Sequence, residues 1–365
     1  MNVFILTNSC GGLVHFRKEL LVELINNGDK VYIMAPLDDN RDKLSDIGCK
    51  FIENKVDRRG MNFLKDAQLI WNYIIVIKRM KPDVVLTYTI KPNIYGGFVT
   101  SLLKIPCIAN VTGLGSGVER TKLLAVLLVW LYKIGFRKVN CIFFQNKHNM
   151  RFFKKNNIVK RRYRLIPGSG VNLKEFFPCD YPNEEKIEFV FISRIMKEKG
   201  IDEYLYAAEY IKKKYPFTVF HVCGKCEETY EEILERQHKK GIIEYHGYVD
   251  NVREIIYRTH CTINPSYHEG MSNVLLESAA CGRPCLASDI PGCKEIVEEQ
   301  KNGFLFESRN ELALVEAIEK FIALSHEDKE KMGKNGRKKI EKEFDRRIII
   351  DAYIDEINKI MEERK

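Results

Sequence analysis

Two doubly wound α/β units in tandem are what this chain predicts, on three observations. Short apolar runs alternate with helix-length amphipathic stretches, the pattern of βαβ units whose parallel sheets are covered on both faces. The alternation fills residues 3–144, breaks at a polar stretch with Pro178 and Pro182 (177–185), and then starts again. The 365 residues also exceed the length, about 250–300, at which one core stops growing.

In the first series, residues 3–7 read as a strand emptying into a tight turn, Asn8-Ser9-Cys10-Gly11-Gly12, with a helix over 16–25. A second strand follows at 31–35. Residues 62–80 have helical length and periodicity, and Pro82 stops them. Strands at 84–87 and 107–111 flank another helix-like stretch, and 141–144 is the last strand of the series. The second series has strands at 189–192, 218–222, 242–245, 261–264 and 285–287, each followed by a helical pattern. From Asn310 onward the chain reads as helical and charged. The boundaries that follow are 1–175 for the first domain, 185–345 for the second and 346–365 for a closing helix. Doubly wound sheets bind ligands at the carboxyl ends of their strands, so facing units would share a cleft there.

Composition narrows the function classes. With 45% hydrophobic and 30% charged residues the chain is neither disordered nor collagen-like. No apolar run reaches the ~18–20 residues that span a bilayer; the longest, 123–132, is about half that. Met1 leads almost directly into a strand without a basic n-region, so no secretory signal is read. Eleven cysteines without a framework spacing suit reduced thiols, and the expected compartment is the cytoplasm. Residues 1–180 hold 29 Lys and Arg against 14 Asp and Glu, a net +15, while the remainder is net −6. The basic half is expected to meet a polyanion: nucleic acid, an anionic leaflet or a phosphorylated substrate.

The densest chemistry lies in Asn264-Pro265-Ser266-Tyr267-His268-Glu269-Gly270-Met271-Ser272-Asn273-Val274-Leu275-Leu276-Glu277. A strand ends, a turn carries His268 and Glu269, and Gly270 lets backbone approach a ligand. A helix starting near Ser272 would then aim its free amides at an anion such as a diphosphate. Glu277, about a turn inside, could reach a ribose diol, and Glu269 a sugar hydroxyl. Composition alone leaves an ordinary βα turn with two solvated glutamates equally open.

This segment resembles the E-x7-E signature of the retaining glycosyltransferases of family 4, with Glu269 first and Glu277 second. Ala280-Cys281-Gly282-Arg283-Pro284, Ala287-Ser288-Asp289-Ile290-Pro291-Gly292, and Phe191-Ile192-Ser193-Arg194 with Lys199-Gly200 resemble that family in the same order over 187–306. The resemblance implies the GT-B architecture, two facing Rossmann-like domains with the acceptor on the first and the nucleotide sugar on the second. It assigns Arg194 and Lys199 to the donor diphosphate. That is physically apt, because fixed cations aimed at a departing diphosphate stabilise the transition state more than the ground state. It places Ser266, His268, Gly270, Met271, Ser272, Asn273 and Glu277 around the donor, Tyr248 and Val249 beside the nucleobase, and Gly224 on a second ligand-facing loop. Gly11 and Gly12 resemble the family's glycine loop, Gly11 toward the acceptor and Gly12 toward the donor. For retention the resemblance implies front-face attack, with the departing phosphate helping to take the acceptor proton, so no general base is assigned. His268 serves equally well as a donor contact or as a structural histidine.

Asn110-Val111-Thr112-Gly113-Leu114-Gly115-Ser116-Gly117 resembles a subgroup acting on polyprenyl-diphosphate-linked sugars in capsule and O-antigen assembly, which puts Thr112 and Gly113 on the acceptor side. The expected function is retaining transfer of a hexose or N-acetylhexosamine from a UDP-sugar to such an acceptor. The expected partners are then the UDP-sugar, the lipid-linked glycan and an anionic membrane surface, with no nucleic acid. Arg120, Lys122, Lys133, Arg137 and Lys138 bracket the apolar run with Trp130, as an interfacial helix requires, although a core helix fits the run equally. Lys154, Lys155, Lys160, Arg161, Arg162 and Arg164 form a second basic cluster. A transferase with a soluble acceptor, a UDP-N-acetylglucosamine 2-epimerase and a non-catalytic sugar-nucleotide-binding subunit remain alternatives. Neither the sugar nor the linkage is legible. Cys223-Gly224-Lys225-Cys226 lacks a thioredoxin context. It also has no second paired spacing for zinc, although His221, His238 and His246 lie nearby. No acidic cluster accompanies the phosphate residues, so the reaction is expected to need no metal and no cofactor.

Overall fold

The computed structural model describes residues 1–55, 62–113, 122–227 and 229–364. The chain divides into two compact units, Met1–Ser169 with Arg347–Lys365, and Gly170–Arg346. Residues 114–117 and Arg120 of the sequence reading lie outside the described residues, as does the side chain of Lys122.

The first unit is built on β1 (Asn2–Leu6), β2 (Lys30–Ala35), β3 (Lys50–Glu53), β4 (Val84–Tyr88), β5 (Cys107–Val111), β6 (Cys141–Phe144) and β7 (Arg162–Leu165). These pair in parallel in the order β3-β2-β1-β4-β5-β6-β7, so the winding reverses between β1 and β4. Its helices are α1 (Cys10–Asn26), α2 (Arg41–Asp46), α3 (Phe63–Met80), α4 (Gly97–Leu103), α5 (Lys122–Gly135) and α6 (Lys147–Lys155). Strand alternation sorts them into layers. Val3, Ile5, Leu86, Ile108 and Phe143 point into a core shared with α1 and the chain's last helix. Phe4, Leu6 and Val85, with Ala109, Ile142 and Phe144, point the other way, beneath α3, α4, α5 and α6. Asn62 caps α3 by accepting from Leu64 N and Lys65 N, and Lys81, at φ 45°, ends it ahead of Pro82.

The second unit has β8 (Ile187–Ile192), β9 (Thr218–Cys223), β10 (Glu244–Tyr245), β11 (Cys261–Asn264), β12 (Cys285–Ser288) and β13 (Gly303–Phe306), in the order β10-β9-β8-β11-β12-β13. Its winding reverses between β8 and β11. The helices are α7 (Ile201–Lys214), α8 (Glu231–Lys239), α9 (Val252–Arg258), α10 (Asn273–Ala280), α11 (Glu311–Ile322) and α12 (His326–Glu343). Phe189, Phe191, Phe220 and Val222 pack under α7 and α11. The opposite face packs against α9, α10 and α12.

Three boundaries differ from the sequence reading. Helix α1 starts at Cys10, because Ser9 is extended and its side chain accepts from Gly12 N, so Gly11 and Gly12 form its first turn and not a separate loop. The units divide at Ser169 and Gly170, ahead of 175, because Val171 and Phe176 are buried in the second unit. The proline-bearing stretch after them is no loose linker. The Tyr181 hydroxyl donates to His260 O, and the buried Arg283 guanidinium donates to the carbonyls of Cys179 and Asp180. The last helix, α13 (Arg346–Glu362), packs from Arg347 onward in the first unit. There Arg162 pairs with Glu356 and Glu363, and Arg164 with Asp355, so two of the six cations of the second basic cluster are paired internally.

All eleven cysteines are free thiols and nine are buried. Among the described residues no helix is long and apolar enough to cross a membrane.

Candidate active site

In the second unit, the loops leaving β8, β9, β10, β11 and β12 all lie at strand carboxyl ends, and those after β8 and β11 flank the reversal of winding. That is the position at which open parallel sheets bind ligands. The loop after β8 carries Arg194 and a short 3-10 turn, Lys197–Lys199, closed by Gly200. Gly200 takes φ 75°, and a Cβ there would stand 2.2 Å from Pro265 O, so only glycine lets the two loops touch. Tyr267 N donates to Glu198 O at 3.0 Å across the same seam.

This seam brings Lys199 onto Glu269, Nζ to Oε1 at 2.6 Å, with both side chains largely buried. A cation and a carboxylate 70 residues apart in sequence thus share one point of the surface. Arg194 is half-exposed, and its Nη1 donates to both oxygens of Glu227, at 3.1 and 2.9 Å. Glu227 was not singled out from sequence. Its only signal is its place directly after the second cysteine of the C-x-x-C stretch.

The β11 loop is braced from within. Asn264 Nδ2 donates to Ser272 Oγ at 2.6 Å, and Asn264 Oδ1 accepts from Ser266 N at 3.1 Å. Because the Ser272 hydroxyl serves Asn264, it does not cap α10, whose first residue is Asn273. Gly292, at φ 89°, passes so close that a Cβ would meet Glu269 O at 2.7 Å and Gly270 O at 2.9 Å, while Gly292 O accepts from Ser272 N. Met271 is buried beneath. His268 Nε2 lies 3.3 Å from Arg309 Nη2, and the Arg309 guanidinium also covers the Tyr267 ring. Arg309 was missed in sequence because it follows β13 and belongs to no motif. Glu277 is half-buried one turn into α10. Loss of solvent pushes its carboxyl up to about 8; Arg346 opposes that rise and Glu175 adds to it.

Gly224 begins the β9 loop at φ 152°, where a Cβ would stand 1.7 Å from Ser193 O, and its N–H donates to Gly247 O at 2.7 Å. Tyr248, next in that chain, is exposed, and Val249 is partly buried against Val190 and Ile255. The C-x-x-C cysteines form no disulfide. Cys223 is buried, with its thiol pushed up to about 12 by burial, and Cys226 Sγ lies 3.5 Å from Tyr245 OH.

In the first unit the amides at the start of α1 already serve a carboxylate. Asp38 Oδ2 accepts from Cys10 N at 2.9 Å and from Gly11 N at 3.4 Å, and Ser9 Oγ accepts from Gly12 N. Thr112 and Gly113 follow β5 and are partly exposed. His15 is exposed on α1.

Two family models match, "Glycosyl transferases group 1" over residues 175–339 and "Glycosyl transferase 4-like" over residues 6–146. A Campylobacter jejuni N,N'-diacetylbacillosaminyl-diphospho-undecaprenol alpha-1,3-N-acetylgalactosaminyltransferase is 27% identical, with 97% of each chain covered. An Escherichia coli UDP-Gal:alpha-D-GlcNAc-diphosphoundecaprenol alpha-1,3-galactosyltransferase is 28% identical over 81% of each chain. Among solved structures, HepE of Anabaena in complex with UDP and glucose superposes with a TM-score of 0.79 over 98% of each chain at 14% identity.

Proposed function

The chain belongs to the group 1, family-4-like glycosyltransferases of GT-B architecture, and from that premise we propose which transfer it performs. A hexose or N-acetylhexosamine moves from a UDP-sugar, with retention, to a polyprenyl-diphosphate-linked glycan during bacterial surface polysaccharide assembly. The acceptor class is supported by the two relatives, both named for glycans on undecaprenyl diphosphate. The donor chemistry is supported by one observation above the others, the Lys199–Glu269 pair held by the Gly200 seam at the sheet's reversal of winding.

Each residue then has a task. Lys199 has three N–H donors and gives one to Glu269, so it can bridge that carboxylate and a diphosphate oxygen. Arg194 adds a second cation. Glu269 accepts from a sugar hydroxyl and so fixes the sugar's orientation, and Glu277 accepts from the ribose. The anomeric carbon–oxygen bond to UDP breaks and the acceptor oxygen bonds to the same face. The acceptor's proton passes to the departing phosphate, whose growing charge Lys199 and Arg194 stabilise. We assign this step no metal. Chelation by EDTA should leave kcat unchanged, and a loss restored by Mg²⁺ would contradict the assignment. The enzyme works from the cytoplasmic leaflet, where its lipid-linked acceptor lies.

The test is turnover of UDP-, GDP- and ADP-sugars with polyprenyl-diphosphate-linked acceptors and with their water-soluble analogues. Product is identified by mass spectrometry, and its anomeric configuration by NMR. UDP-sugar consumption with the polyprenyl-diphosphate-linked acceptor, faster than with its water-soluble analogue and giving an axially linked product from an axial donor, is expected. Turnover without acceptor would indicate an isomerase, and nucleotide binding without turnover a binding subunit.

A further inference from the structure

We propose that His221, His246 and Glu244 of the second unit hold a divalent transition-metal ion, with a fourth position open to water. The site is distinct from the reacting phosphates, and metal binding does not depend on the transferase reading.

The three groups converge from rigid elements. His221 lies on β9, and its register partner on the edge strand β10 is Glu244. His246 follows β10 directly and is pinned by its N–H to Val222 O. His221 Nδ1 is 3.0 Å from His246 Nε2 and 3.2 Å from Glu244 Oε2, and all three ligand atoms lie within 4.8 Å of one another. In a tetrahedral zinc site with bonds of about 2.0–2.1 Å the ligand atoms are roughly 3.3–3.5 Å apart, so a small expansion admits an ion.

Proton accounting makes the case stronger. His221 Nε2 lies 2.8 Å from Glu188 Oε2, a carboxylate oxygen that accepts. The imidazole proton is therefore on Nε2, and a neutral His221 presents a lone pair at Nδ1. Arg258 Nη2, which can only donate, lies 3.4 Å from His246 Nε2, so the Nε2 lone pair that would ligate an ion is the one Arg258 must release. Two imidazole nitrogens and a carboxylate oxygen thus gather within 4.8 Å of one another, a donor set that suits a divalent transition-metal ion. The Glu188–His221 contact is the carboxylate–histidine arrangement that orients metal-binding imidazoles. Glu244 is half-exposed, which leaves a way in from solvent, and Arg258 can turn toward the neighbouring Glu188. The bound ion would fasten residues 246–249 to β9, and so fix Tyr248 and Val249.

The experiment uses the full chain, stripped with chelator and titrated with Zn²⁺ by calorimetry and with Co²⁺ by visible absorption. Wild type is expected to take one equivalent, to show the intense d–d band of a tetrahedral cobalt site, and to melt at a higher temperature with metal. His246→Ala and Glu244→Gln, both on the accessible side, should each weaken binding at least tenfold and abolish the band. Cys226→Ser should change none of these. A single proton on His221 Nδ1 is the competing resolution. It would appear as a doubly protonated His221 in ¹⁵N NMR at neutral pH, with no tetrahedral cobalt band, and would overturn the proposal. So would binding that persists in both variants or disappears in Cys226→Ser.

Discussion

At the scale of single residues, the Lys199–Glu269 pair is where the proposed chemistry is most exposed to test. Lys199→Ala removes a fixed cation from the position assigned to the leaving group and should lower kcat about 10²–10³-fold, the size expected for one preorganised electrostatic partner. Because the two side chains bond each other, the double change Lys199→Ala with Glu269→Gln should cost less than the two single losses combined. Steady-state kinetics on the four proteins measures both. Glu277 gives a pH signature. Its folded-state carboxyl titrates near 8, above the ordinary value, so the folded state holds the proton more tightly than the unfolded chain. The resulting stability is complete below about pH 4.5 and is lost as pH rises toward 8. Glu277→Gln, which cannot ionise, should therefore raise Tm relative to wild type at pH 8 and not at pH 4.5. If the carboxylate form accepts from the donor's ribose, UDP-sugar binding at pH 7 should release a proton. Calorimetry in buffers of different ionisation enthalpy would detect that, and buffer-independent heats would deny it. The E-x7-E spacing made Glu269 and Glu277 legible. Glu227, Glu188 and Arg309 were not legible, because their partners are set by sheet order and loop crossing and not by spacing along the chain.

At the scale of elements, legibility followed burial. The interior strands β1, β4, β5, β6, β8, β9, β11 and β12 are apolar runs and read directly from sequence. The strands missed outright, β3, β7 and β13, and β10, which is shorter than its apolar run suggests, each end a sheet. An edge strand has one neighbour and is less covered, so Arg162–Leu165 alternates exposure and carries two arginines, while β10 pairs over only two residues. β13 is apolar, but four residues after a turn carry too little pattern to separate a strand from a loop. The start of α1 was missed for another reason. Two glycines argue for a turn, yet the Ser9 cap and the Asp38 carboxylate supply acceptors that make a glycine-bearing first turn stable. The Gly200 seam converts this reasoning into a prediction. Gly200→Ala places a Cβ in the left-handed region and against Pro265 O. It should cost about 1–2 kcal/mol, roughly 2–8 °C in the Tm of a unit this size. It should also lower kcat by moving Lys199 away from Glu269. A variant with unchanged Tm and kcat would mean that the seam is not what positions the pair.

At the scale of the whole molecule, the uneven charge and the layering of the first unit bear on where the enzyme works. Helices α3, α4 and α5 lie on the same face of the sheet and pack side by side, α5 so closely that a Cβ on Gly97 would meet Gly135 O at 2.6 Å. Tyr132 of α5 and Phe136 just beyond its end are core, which answers the question left by the 123–132 run: one side of the helix is buried and the other is open. The open side presents Leu123, Val126, Leu127, Trp130 and Ile134 at helical spacing; α3 presents Leu64, Trp71 and Ile75, and α4 Phe98 and Leu102. Both tryptophans of the chain, Trp71 and Trp130, stand in these outward stripes, 62% and 58% exposed. Exposed Lys78, Arg79, Lys104, Lys133, Arg137 and Lys138 lie at the ends of the same helices. Aromatic and aliphatic stripes flanked by cations match the interface of an anionic bilayer, where each Lys or Arg contributes roughly 1 kcal/mol. The protein should therefore sediment with vesicles rich in anionic lipid at low salt and be released as salt rises. Its tryptophan emission should shift to the blue on binding, since both indoles leave water together. At ~25 cal/mol per Å² of apolar surface removed from water, one indole is worth at least about 1.4 kcal/mol. Trp130→Ala should thus weaken partition about tenfold and halve the spectral change, while turnover of a water-soluble acceptor analogue stays at the wild-type rate. Emission that does not move with anionic vesicles would assign the stripes to a protein partner, and the lipid-linked acceptor would then have to be delivered by it.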